Sequence, residues 1–135
     1  MVTVKSTGAP SKSGNWNRNR GSEGEQAALH YLKKKGYSIT DTNYRCCFGE
    51  IDIIARDGKE YVFVEVKSRS SSRFGEPEAA VNRNKQGKLS RAALHYLENR
   101  NLHDRKARFD VLAVTMTPDG NEIRHIPDAF DLTFF

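Results

Sequence analysis

This chain has few residues that could cross-link it. Its two cysteines, Cys46 and Cys47, are adjacent, so neither a disulfide framework nor a zinc-binding spacing can be built from them. They read as two ordinary thiols at a strand end. The four histidines, His30, His95, His103 and His125, share no local metal-ligand spacing, which argues against zinc. No apolar run approaches the ~20 residues of a membrane-crossing helix. The N-terminus also lacks the apolar core of a signal peptide, so a cytoplasmic protein with no membrane partner is expected. There are no internal repeats, and 135 residues suffice for one domain with a single core, not two.

Positive charge, by contrast, is present and unevenly placed. The net charge is +5. Residues 1–20 hold Lys5, Lys12, Arg18 and Arg20 and no acid. This segment is rich in Ser, Gly and Asn and reads as a disordered basic tail, leaving residues 21–135 as one domain. Between Lys67 and Arg91 the bases Arg69, Arg73, Arg83, Lys85 and Lys88 form a belt that suits a polyanionic partner. A solvated helix face is the plainer account of such a run.

Two strand-like segments carry the chemistry. Gly49-Glu50-Ile51-Asp52-Ile53-Ile54-Ala55 and Tyr61-Val62-Phe63-Val64-Glu65-Val66-Lys67 flank an Asp57-Gly58 hairpin signal. With Asp57-Gly58 as the loop, Asp52 faces Phe63 and Glu50 faces Glu65. Side-chain alternation then puts Ile51, Ile53, Ala55, Val62, Val64 and Val66 on one face. The other face carries Glu50, Asp52, Ile54, Tyr61, Phe63, Glu65 and Lys67. Asp52 and Glu65 become diagonal neighbours, roughly 7–8 Å apart at the backbone. Unpaired charges are costly inside a sheet. A divalent ion held by both carboxylates, with a phosphate near Lys67, would offset that cost.

The remaining elements follow from pattern and punctuation. A helix is expected over Ser22–Lys35, with Ser22 as cap and Gly36 as stop. Glu25 either completes a capping box with Ser22 or points with Ala28, Leu29 and Leu32 toward the sheet. Strands are expected at 37–44, in the two hairpin arms, at 108–115 and at 122–126, the last ended by Pro127. A second helix begins between Glu78 and Asn84 and buries Leu89, Ala92, Ala93, Tyr96 and Leu97. Ala129, Phe130, Leu132, Phe134 and Phe135 form an apolar tail that packs on the domain. The predicted class is α/β, in the order αβββαββ, with a mixed central sheet flanked by helices. The strand after the second helix should lie parallel to the second hairpin arm.

Asp52 followed by Glu65-Val66-Lys67 on a hairpin resembles the Asp…Glu-x-Lys signature of restriction-endonuclease-like nucleases. Gly24-Glu25, Asn43-Tyr44-Arg45, Gly49-Glu50-Ile51-Asp52, Phe63-Val64-Glu65-Val66-Lys67, Phe74-Gly75-Glu76-Pro77 and Arg108-Phe109-Asp110 together resemble the YraN family, over most of residues 21–130. That bacterial family is similar to archaeal Holliday junction resolvases in fold and acidic site. The resemblance implies a restriction-endonuclease-like fold. It also implies Asp52 and Glu65 as metal-binding carboxylates and Lys67 as the lysine that positions water and balances phosphate charge. Glu25 would be the helix acid that completes the site, while Glu50 matches the pattern without a clear role. Ile51 stands where many members of the superfamily have proline.

These readings converge on a nuclease using Mg²⁺ or Mn²⁺ and acting on DNA, branched or structured forms included. Symmetric cutting of a junction would call for a homodimer. Two alternatives compete. One is a nucleic-acid-binding protein that keeps the fold with little or no turnover. The other is a structural ion pair in which Lys67 neutralises Glu65 or Glu50.

Overall fold

The structure, a computed structural model, describes residues 2–4, 16–70, 81–102 and 104–131. Its elements are β1 (Val2–Val4), α1 (Trp16–Lys34), β2 (Ser38–Cys46), β3 (Gly49–Asp57), β4 (Glu60–Ser70), α2 (Arg83–Asn99), β5 (Ala107–Thr117) and β6 (Gly120–Phe130). The expected αβββαββ order runs from α1 to β6, with β1 added ahead of it. One sheet takes all six strands in the order β1-β6-β5-β4-β3-β2. β4 and β5 are parallel, as the crossover through α2 requires, and the other neighbours are antiparallel. The mixed α/β class holds, with one helix packed on each face of the sheet.

Two parts of the segment expected to be a disordered tail lie in regular structure instead. Val2–Val4 pairs with Asn121–Ile123 of β6. A strand this short has no stability of its own and forms only against an existing edge, so local pattern gave little sign of it. α1 begins at Trp16, six residues before the expected cap. Ser22 therefore sits inside the helix, and the capping-box role for Glu25 falls away. Residues 5–15 lie outside the described residues.

The sheet separates two apolar layers. α1 buries Gly24, Ala27, Ala28, Tyr31 and Leu32, a stripe at helical spacing. Four of these, Gly24 apart, join Ile53, Val62, Val64, Leu112, Val114 and Ile123 in one layer. On the other face, α2 packs Leu89, Ala92, Ala93, Tyr96 and Leu97 against Ile51, Ile54, Tyr61, Phe63, Phe109 and Val111. Every position of the expected α2 stripe is buried. Asn82 caps this helix, its Oδ1 accepting a hydrogen bond from the Lys85 amide at 2.8 Å.

The hairpin register differs from expectation by two residues. Asp57 pairs with Glu60, Arg56 with Tyr61 and Ile54 with Phe63, so the two turn residues are Gly58 and Lys59. Gly58 has φ 64° and Lys59 is not among the positive-φ residues. A turn with positive φ only at its first central position is of the II′ type, which favours glycine there. A two-residue shift preserves the faces. The exception is Ile51, which joins the α2 layer with Ile54 rather than the α1 layer with Ile53.

β6 does not stop at Pro127 but continues to Phe130. The β5–β6 register shifts between Phe109 and Val111, so Pro127 falls in a bulge, where a missing amide proton is tolerated. Phe130 then stacks on Phe109 at 4.7 Å. Of the expected apolar tail, residues 132–135 lie outside the described residues. The bulge also closes a polar network. Asp110, fully buried, accepts from Arg108 Nε at 3.0 Å, the Asp128 amide at 2.9 Å and His125 Nε2 at 2.7 Å. Burial alone would raise the Asp110 pKa, but His125, Arg108 and the Asp128 amide together hold it below the ordinary value. A carboxylate with a depressed pKa stabilises the fold above its unfolded pKa and loses that effect as pH falls. Asp110→Ala should therefore cost about 3–5 kcal/mol at neutral pH, by stranding Arg108 and His125. In denaturant titrations the gap from wild type should narrow below about pH 4; an equal gap at all pH values would contradict this assignment.

Candidate active site

The ladder between β3 and β4 extends only as far as Ile53–Val64. β3 stays paired with β2 beyond that point, through Tyr44–Ile51 to Cys46–Gly49. The two hairpin arms therefore part at Asp52 and Glu65. Where they part, the Val66 amide donates to Asp52 Oδ2 at 2.8 Å. A side-chain oxygen thus takes the place of a ladder carbonyl and satisfies a backbone donor that the separation would otherwise strand. Asn43, which the register places across from Asp52, has φ 51°, a left-handed conformation that asparagine tolerates better than most residues.

The parting opens a cleft of about 330 Å³ lined by Gly49, Glu50, Asp52, Glu65, Val66, Lys85, Lys88 and Leu89. Glu65 is buried, only 6% exposed. Its carboxyl lies within hydrogen-bonding reach of Asp52. Burial first, and then the neighbouring charge of Glu65, raise the Asp52 carboxyl to about 7, against the opposing pull of the Val66 amide. Such a shift marks a carboxylate pair short of positive charge.

The predicted residues do not all meet. Asp52 and Glu65 come together. Glu25, on α1, is not among the residues lining the cleft; its charge acts on Asp52, and its Oε2 accepts a 3.4 Å hydrogen bond from Asn43 Nδ2. Burial and then Glu50 raise the Glu25 pKa, with Asn43 opposing. Glu50 lines the cleft and pairs with Arg45 at 3.4 Å. Lys67 is half-buried on β4, two residues past Glu65, and is not among the residues lining the cleft. Lys85, at the start of α2, reaches Glu65 through an ion pair to Oε2. Sequence spacing placed Lys85 only in the basic belt, because contact across the crossover has no local signal. Burial works against the Lys85 ammonium. Glu65, then Asp52 and Glu50, outweigh it and raise its pKa. Of the belt, Lys85 and Lys88 edge the cleft, and Arg83 opens α2 as an exposed residue. Arg69 is half-buried near the end of β4, and Arg73 lies outside the described residues.

Among the described residues no group of three or more His, Cys, Asp or Glu side chains gathers at one point. Two carboxylates converging in an open cleft remain, both hard oxygen donors. They fit a partial shell for Mg²⁺ or Mn²⁺, which retains several waters, and do not fit zinc.

The family model described as "Uncharacterised protein family UPF0102" matches residues 24–114. The chain belongs to this family. The YraN resemblance read from the motifs is thereby borne out. A UPF0102 protein of Syntrophus aciditrophicus is 52% identical over 118 residues, covering 87% of this chain and 93% of that protein. Its counterpart in Geobacter metallireducens is 48% identical, covering 87% and 97%. Among solved structures, Pyrococcus furiosus SfsA in complex with Ca²⁺ aligns with a TM-score of 0.39 and 16% identity. That alignment covers 82% of this chain and 63% of SfsA. No helix among the described residues is long and apolar enough to cross a membrane.

The electrostatics make a signed forecast. A carboxyl whose folded pKa lies above its unfolded value favours folding at low pH, and that advantage is lost as pH rises toward the folded pKa. Asp52→Asn should therefore stabilise the metal-free UPF0102 protein by roughly 2–4 kcal/mol at pH 8 and by little near pH 4. Urea melts at the two pH values would check this, and a destabilised variant at pH 8 would refute it.

Proposed function

We propose that this protein is a metal-dependent nuclease that hydrolyses phosphodiester bonds in DNA, with branched or structured DNA as the favoured substrate. The supporting observation is the pair of carboxylates, Asp52 and Glu65, converging where β3 and β4 part, in a cleft edged by Lys85 and Lys88. In this reading Asp52 and Glu65 hold Mg²⁺ or Mn²⁺. Such an ion supplies charge neutralisation at the phosphate and acidifies a water. Asp52, which lines the cleft, is anchored there through Oδ2 by the Val66 amide. In the metal-free site the Asp52 carboxyl is raised to about 7, so ion binding at neutral pH would displace a proton from it. Glu25, whose charge acts on Asp52, is the candidate for a further oxygen donor. Lys67, two residues past Glu65 on the same face of β4, would offset phosphate charge from beside the cleft. Lys88 and Arg83 contact the backbone on either side of the scissile bond. A cytoplasmic location fits the same reading, and a symmetric dimer would bring two such clefts to a four-way junction.

A DNA-binding protein without turnover is the second reading. It draws on one observation: among the described residues no third acid joins the pair, while Glu65 already has an ammonium partner. The two readings part on a panel of branched, duplex and single-stranded DNAs incubated with Mg²⁺ or Mn²⁺. The nuclease reading expects metal-dependent cleavage. It also expects Asp52→Asn and Glu65→Gln to abolish cleavage, and Lys67→Ala to lower it by about 10²–10³-fold while DNA binding persists. DNA binding without cleavage across the whole panel would favour the second reading. Full cleavage by Lys67→Ala would remove the lysine from the mechanism.

A further inference from the structure

Lys85 holds a position that the basic belt alone does not explain. Its backbone is fixed, because its amide donates to the Asn82 cap at 2.8 Å. Its head group is not fixed in the same way. The side chain is 48% exposed and ends on Glu65 Oε2, whose own side chain is only 7% exposed. Glu65 and Lys85 both line the cleft, so the ammonium engages the carboxylate from the space a cation must enter. Lys88, one turn further along α2, lines the same cleft and lies on the same side of the helix by spacing.

We infer that Lys85 is an exchangeable counter-ion for Glu65, which competes with a divalent ion for the same carboxylate oxygen. The inference rests on the metal-site reading above. A lysine suits this role because its charge sits on a flexible four-carbon stem, rooted here in a capped helix. Two cations cannot both take Glu65 Oε2 at close range without repelling each other, so binding of one is linked to release of the other. Once released, the ammonium stays at the cleft mouth beside Lys88. Lys85 would thereby set how much metal the site requires and keep Glu65 compensated when metal is scarce.

Titration of the full chain with Mn²⁺, followed by the loss of the free-ion electron paramagnetic resonance signal, tests this directly. Lys85→Met and Lys85→Gln should each bind Mn²⁺ about tenfold more tightly than wild type, and Lys85→Arg should stay near wild type. Two uncharged variants are used so that a folding defect in one, seen by circular dichroism, still leaves the other to decide. Unchanged or weaker Mn²⁺ affinity in a folded uncharged variant overturns the inference and leaves the metal site standing. If neither wild type nor the variants bind Mn²⁺, the metal-site reading falls, and this inference falls with it.

Discussion

The hydrogen bond from the Val66 amide to Asp52 Oδ2 is the constraint on which the cleft depends. Two hairpin arms that stayed zipped would put Asp52 directly opposite Glu65 with every ladder amide satisfied, and no space would open between them. The arms part because β3 follows β2 past Ile51 while β4 follows β5 to Ser70. An amide on the inner edge of that fork must find an acceptor or bear a cost comparable to a lost hydrogen bond. Asp52 provides it, and one of its oxygens is thereby oriented by the backbone. The same fork explains Ile51, which leaves the face of Ile53 and seats itself in the α2 layer.

Two polar clusters in this fold behave in opposite ways. Around Asp110 the acid is fully buried and has three donors, and its pKa is depressed. Arg108 spends its guanidinium on Asp110, Glu60 at 2.7 Å and Tyr37 at 2.8 Å. His125 Nε2 donates to Asp110 at 2.7 Å, and Nδ1 shares a 3.2 Å hydrogen bond with the Tyr31 hydroxyl. That network ties together α1, β4, β5, β6 and the residue preceding β2. Around Asp52 the balance is reversed, with carboxylates crowded and a pKa driven up. A saturated network has little capacity left for a ligand. A carboxylate pair short of positive charge is one that a cation can still improve.

Much of the fold was legible because its signals are local. The alternation of Val62, Phe63, Val64 and Glu65 assigns the faces of β4. The Asp57-Gly58 pair marks a hairpin within two residues of its true centre, and the α2 stripe is a plain helical period. What escaped was set by distant contact. β1 exists only through β6. Pro127 looked like a stop because its tolerance in a bulge depends on the register of β5. Asp52 and Glu65 were legible as a pair because the hairpin itself joins them. Lys85 was not, since its approach to Glu65 depends on how α2 docks after the crossover. Lys67 shows the same limit from the other side: sequence proximity to Glu65 did not place it among the residues lining the cleft.

Glu25 marks how complete the site is as it stands. α1 approaches β4 closely at Gly24, where a Cβ would meet the Ser68 side chain, so glycine next to Glu25 lets the helix lie against the strand. The hydrogen bond from Asn43 to Glu25 is long, at 3.4 Å, and exposed, close to the limit at which such contacts retain strength. Asp52 is held much more firmly, by a 2.8 Å bond from a backbone amide. The site thus combines one anchored carboxylate, one buried carboxylate with an ammonium partner, and one loosely tethered acid on α1. Among the described residues no three-carboxylate cluster is preassembled, which is what mutual repulsion predicts. Three ionised acids brought together without a cation would each raise the others' pKa and destabilise the fold, so a third acid can join such a pair only with positive charge beside it.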